Sequence, residues 1–211
     1  MSAQKAVTDD FWFWSTVSLD KKISQKFGVS FDEELRLFDN ASRINLFFTN
    51  VGINYKLNKN FKFALVYRFI SKNQDIGPYS RRHRLYFDAS YRNKWYNFTY
   101  VYRIRFQGQV RDYYSSDKGK YIESYMRHKI DLKYSYKKFT PYLAAEFRFQ
   151  FTNPHFNEGD DLWDRERFYI GCDYDLTKRS TFGAYFMLQR DMNNERLQHD
   201  YVAGIQYGYS F

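Results

Sequence analysis

Asp200-Tyr201-Val202-Ala203-Gly204-Ile205-Gln206-Tyr207-Gly208-Tyr209-Ser210-Phe211 is the stretch that decides the reading of this chain. Tyr201, Ala203, Ile205, Tyr207, Tyr209 and Phe211 alternate with Asp200, Val202, Gly204, Gln206, Gly208 and Ser210. Side chains of a strand point to opposite faces in turn, so this pattern puts aromatics on one face and small or polar groups on the other. It spells a strand that runs to a terminal aromatic.

The same period returns along the chain. Phe27, Val29, Phe31, Leu35 and Leu37 oppose Gly28, Ser30, Asp32, Glu34 and Arg36. Residues 47–57, 61–70, 85–92, 129–136, 139–151, 167–176 and 182–189 repeat the alternation, and residues 11–20 carry it more weakly. In 96–107, Tyr96, Phe98, Tyr100, Tyr102, Ile104 and Phe106 face away from Asn97, Thr99, Arg103, Arg105 and Gln107. Helical spacing fits none of these stretches, and the chain reads as all-β. Short basic turns (Lys21-Lys22, Asn58-Lys59-Asn60, Asn93-Lys94, Lys137-Lys138, Thr177-Lys178-Arg179) alternate with longer polar loops near 39–43, 72–81, 110–124, 152–164 and 191–198. That is the connection pattern of an antiparallel up-and-down barrel of about 10–12 strands, with short turns on the periplasmic side if it spans an outer membrane. Eleven segments can be counted, but an even number is expected when both ends share one side. Ten or twelve strands are therefore anticipated, and Glu33, on the apolar parity, marks an expected bulge or rim position.

Composition says which way the barrel is turned. Aromatics are 22% of the 211 residues, with 22 Phe, 21 Tyr and 4 Trp. Mean hydropathy is −0.73, and no run reaches the roughly 18 apolar residues of a transmembrane helix. A membrane barrel spends alternate residues on its interior, so a polar average is compatible with spanning. A soluble, ligand-binding barrel would point the apolar face inward. An interior the width of a small barrel has no room for about five bulky side chains from every strand. Turned outward into lipid, they need none, and Gly52, Ala64, Ser90, Ala144, Gly171, Gly204 and Gly208 on the other face leave room for long charged neighbours.

The inward parity collects the charge. Arg36, Arg68, Arg103, Arg105, Arg148 and Arg167 share it with Glu34, Asp88, Asp131, Glu146 and Asp173, and these are the candidate lumen-lining residues. Such charges must pair or stay wet. They form either an ion-paired plug or a narrow anion-favouring pore. The net charge of +9 is no nucleic-acid signature, because arginines and aromatics fall on opposite faces and build no common stacking groove. Basic turns suit anionic head groups, and Arg81, Arg82, Arg84 and Arg111 near the outer rim suit lipopolysaccharide phosphates.

Catalytic signals are weak. His83, His128, His155 and His199 lack a serine two residues on, and three of them border long loops, so solvated rim positions are expected. A lipid-active hydrolase or acyltransferase at the rim remains the alternative, needing a His and a Ser brought together across strands. Glu158, Asp160, Asp161 and Asp164 resemble no established calcium loop and read as solvated; no zinc spacing occurs. Lone Cys172 allows no intramolecular disulfide. No enzyme activity, cofactor or metal is expected.

Phe13-Trp14-Ser15-Thr16-Val17, Glu34-Leu35-Arg36-Leu37-Phe38-Asp39-Asn40, Tyr67-Arg68-Phe69, Arg82-His83-Arg84 and the closing Tyr207-Gly208-Tyr209-Ser210-Phe211 resemble a family of uncharacterised outer-membrane β-barrels of Gram-negative bacteria, grouped as a domain of unknown function. The likeness runs over nearly the whole chain and supplies no active site. It implies outer-membrane location and lipid contact. It also implies Phe211 as the signal read by the barrel-assembly machinery. A role as a structural protein, a membrane-complex subunit or a narrow solute channel follows. Residues 1–10 are expected as an N-terminal segment and 11–211 as the barrel. Met1-Ser-Ala-Gln lacks the features of a secretory signal, so the numbering is expected to start at a mature end.

Overall fold

The computed structural model describes residues 7–74, 77–111, 122–152, 162–192 and 197–211. These form eleven strands: β1 (Val7–Lys22), β2 (Phe27–Phe38), β3 (Arg43–Lys56), β4 (Phe61–Lys72), β5 (Ser80–Trp95), β6 (Phe98–Arg111), β7 (Glu123–Tyr134), β8 (Phe139–Thr152), β9 (Trp163–Asp175), β10 (Ser180–Asp191) and β11 (Leu197–Ser210). Each pairs antiparallel with its sequence neighbour, and β1 closes the barrel against β11 in parallel. The expectation of an even, wholly antiparallel count fails here for a geometric reason. Strands that alternate up and down leave the first and last of an odd set pointing the same way. The closing pair is therefore parallel, in one continuous register from Val7↔Leu197 to Asp20↔Ser210. Closure leaves no strand edge open to another chain.

The strands reach further than the alternation alone indicated. β1 starts at Val7 and ends at Lys22, beyond the expected 11–20. β5 runs through Asn93-Lys94 to Trp95, so its turn falls at Tyr96-Asn97. Arg111, Glu123 and Asp164, expected in loops, are strand residues. A register break does lie near Glu33, between Arg36 and Leu37, where Asn45 is the extra residue of β3. Glu33 itself sits in mid-strand on the outer face and accepts a 2.8 Å bond from the Thr49 hydroxyl. Two carboxylate bonds hold the β2–β3 turn: Asp10 accepts from the backbone amides of Asp39 (3.0 Å) and Asn40 (2.9 Å). They fix a run of three left-handed residues, Asp39, Asn40 and Ala41.

The barrel is turned as the composition implied, apolar side out. Ile53 (57% exposed), Leu65 (49%), Phe87 (42%) and Ile170 (60%) belong to an outer face of bare apolar side chains. At the short-turn end this face carries a repeated cross-strand pair: Phe27 with Tyr55, Phe61 with Tyr91, Phe98 with Tyr134 and Phe139 with Tyr174. Their ring centroids are 4.8–5.1 Å apart. The small apolar core lies inside the wall, where Trp14, Met187 and Val202 pack with Trp12, Tyr169 and Tyr185. Gly171 and Gly204 leave space not for charged neighbours but for flat rings. A Cβ at Gly171 would lie 2.6 Å from the ring of Tyr142, and one at Gly204 would lie 2.1 Å from that of Tyr185.

Candidate functional site

All eleven charged residues of the inward parity face the interior of the barrel. Strand periodicity alone places them there: each lies on the same face as Trp14, Asn50, Tyr86 or Val202, the buried set, while its sequence neighbours point out. The central group is built on Glu146 of β8, only 5% exposed. It accepts from Arg103 (2.7 Å), Arg167 (3.1 Å) and Arg127 (3.3 Å), which come from β6, β9 and β7. Asp88 takes both arms of a buried Arg105 fork at 2.7 Å. Such fork-to-carboxylate pairs are among the stronger charge-assisted bonds. Arg36 pairs with Glu34 two residues before it on the same face. Asp131 pairs with Lys129 at 2.9 Å, and Asp173 holds both Lys133 (3.3 Å) and Gln206 (2.8 Å). Arg148 forks onto Asp164.

Aromatic rings complete the lining. The Arg36 guanidinium lies 3.5 Å from the centre of the Trp14 ring, Arg68 lies 3.6 Å from Phe48, and Arg105 lies 3.8 Å from Tyr86. Stacking on a ring face stabilises a cation where water is scarce.

Several members were out of reach of the alternation. Arg127 lies between the loop near 110–124 and the alternating stretch 129–136, outside both. Asp164 belongs to the acidic run expected as a loop, and the Arg165–Asp191 pair joins a residue just before the expected strand 167–176 to one in the expected loop 191–198. Extending each strand by its parity across the loop boundary is the signal that finds them. Glu158, Asp160 and Asp161, of the same acidic run, lie outside the described residues, as does His155.

Two cavities lined by described residues lie in the middle of the interior. One, about 310 Å³, occupies the short-turn half and is lined by Thr16, Asp32, Asn50, Arg103 and Glu146 among others. The second, about 250 Å³, occupies the long-loop half, with Lys72, Arg82, Arg84, Gln109 and Arg111 in its wall. Arg36, Arg68, Arg127 and Arg167 border both. A layer of arginine therefore stands between the two.

The rim residues are placed differently from expectation. Of Arg81, Arg82, Arg84 and Arg111, only Arg81 points outward; the other three line the long-loop cavity. They are turned away from any phosphate outside the wall. His83 and His128 lie on the outer face, each 2.6–2.7 Å from a tyrosine hydroxyl, Tyr67 and Tyr102. Their ring-nitrogen partner in each case is that phenol rather than a serine. His199 sits 3.5 Å from Asp9 on the neighbouring seam strand. Phe211 follows the end of β11, 63% exposed, with its amide on the Asp20 carbonyl (2.9 Å) and its ring against Tyr209.

An apolar-faced, closed barrel of eleven strands around an ion-paired interior is the class that fold and site define. The chain belongs to the family described as "Protein of unknown function (DUF2490)", which matches residues 11–200. None of the curated proteins matches it.

Proposed function

We propose that this protein is an integral outer-membrane β-barrel whose interior is a wet, ion-paired plug rather than an open solute channel, serving as a structural element or membrane-complex subunit. The carrying observation is the inside-out wall. Apolar side chains such as Ile53 and Ile170 stand bare on the outside, while Glu146, Arg167 and Asp88 are buried within. In water that arrangement exposes far more contiguous apolar surface than a soluble monomer tolerates. In lipid it satisfies every backbone bond and presents hydrocarbon to hydrocarbon. The row of Phe–Tyr pairs at the short-turn end matches the interfacial aromatic girdle of such barrels. On this reading the basic short turns face anionic head groups, the long loops face outward, and exposed Phe211 serves the assembly machinery.

The plug reading rests on the arginine layer between the cavities, two members of which, Arg127 and Arg167, are held by Glu146. Protein refolded in detergent and added to a planar bilayer should show a β-type circular dichroism signal and no steady unitary conductance. Steady anion-selective steps that change with Arg103→Ala or Arg148→Ala would replace the plug with a working pore. Full recovery of folded monomer in detergent-free buffer would remove the membrane reading itself.

A further inference from the structure

The long-loop cavity carries more positive charge than the described residues around it neutralise. Nine arginines and Lys72 line it, against one lining carboxylate, Glu123. Six of the arginines have carboxylate partners in Glu34, Glu123, Glu146, Asp164 and Asp191. Arg68, Lys72, Arg82 and Arg84 make no ion pair with any described residue. Arg68 reaches an amide, the Asn50 oxygen, at 2.7 Å. Arg84 donates from Nε to the Gln109 amide oxygen at 3.0 Å. Arg82 Nε is buried with no hydrogen-bond partner among the described residues.

These four cations are neighbours. On β4 and β5, Arg68 stands directly opposite Arg84, Ile70 opposite Arg82, and Lys72 opposite Ser80. Across the next seam Arg82 faces Arg111. Like charges directly opposed across strands repel. A guanidinium does not shed its proton to relieve this. No carboxylate among the described residues answers these four charges, and an anion held in the cavity would.

We propose that the long-loop cavity is a binding site for a phosphoryl oxyanion, gripped by Arg68, Arg82, Arg84 and Lys72. Chloride offers one point of contact, whereas a tetrahedral dianion offers oxygens in several directions. Arginine forks converging from two strands match the second geometry. A cavity of about 250 Å³ admits such a group with bridging water. The Tyr125 side chain and the Gln109 amide complete the wall. The inference concerns the interior alone and does not rest on the membrane reading. Free phosphate and the phosphate of a lipid head group share this chemistry.

The test is calorimetric titration of the full chain with inorganic phosphate, at ionic strength held constant with sodium chloride, in a phosphate-free maltoside. Saturable binding is expected. Arg84→Gln and Lys72→Gln should each weaken it by about tenfold or more, and Arg81→Gln, which removes the same charge from the outer face, should leave it unchanged. Lys72 ends its strand, so its variant keeps the test alive if Arg84→Gln does not refold. A short-chain phosphatidic acid is titrated in parallel. Binding of phosphate assigns a soluble ligand, and binding of the phosphatidic acid alone, lost in Lys72→Gln, assigns a lipid head group; either supports the site. Absence of saturable heat from both would overturn it, leaving water and chloride to fill the cavity, and so would binding that survives both inward variants.

Discussion

At Glu146 a single carboxylate answers three guanidinium groups, and the arrangement is sensitive because its parts cannot be removed independently. Replacing the whole cluster with apolar residues of similar volume would cost little, since desolvation offsets much of what a buried ion pair gains. Removing the carboxylate charge alone strands Arg103, Arg127 and Arg167 together. Glu146→Gln is therefore expected to lower stability by about 3 kcal/mol or more, read as a shift of the urea midpoint in detergent. An unchanged midpoint would show that water already screens the group. The inward side of Glu146, Arg103 and Arg167 was legible from period two, because a residue's face depends only on its place in the strand. Their convergence on one carboxylate was not, because it joins strands 43 residues apart in sequence.

The strands themselves were legible where alternation was clean, and least so at their ends. β6 and β11 stand out because apolar residues, most of them aromatic, mark every second position. β1 is blurred because Trp12 and Trp14 sit on its interior face, so both of its faces carry apolar groups. That blurring hid the seam. The parallel β1–β11 register places Ser15 opposite Ile205. Paired strands lie about 4.7–4.9 Å apart, within disulfide reach. In a Cys172→Ser background, Ser15→Cys with Ile205→Cys should oxidise to a disulfide, seen as a mobility shift on a non-reducing gel. Ser15→Cys with Tyr201→Cys, offset by four residues or about 13 Å along the strand, should not. Equal cross-linking of the two pairs would mean that the seam slides or closes in another register.

For the molecule as a whole, the sharpest question is what solvent surrounds it. Leu65 lies in the middle of the outer face, beside Ile53 and Phe87. In a bilayer, Leu65→Arg should cost about 2–4 kcal/mol, the range for arginine near the midplane of a barrel. In water, an exposed site of this kind changes stability by no more than about 0.5 kcal/mol. Refolding equilibria in lipid vesicles measure the difference directly, and a small value would count against a lipid-facing wall. Because the phosphate titration probes only the interior, the two results fail or succeed separately.

Sequence by itself determined the all-β class, the alternation that turns apolar groups to one side and charge to the other, and the identity of most interior residues. Each of these depends on local geometry, the two-residue period of a strand. Tertiary structure alone decided the parallel closure of an odd barrel. It also decided the pairing that leaves four cations of one cavity without a carboxylate partner among the described residues. Those depend on which strands become neighbours and at what register, and no single strand contains that information.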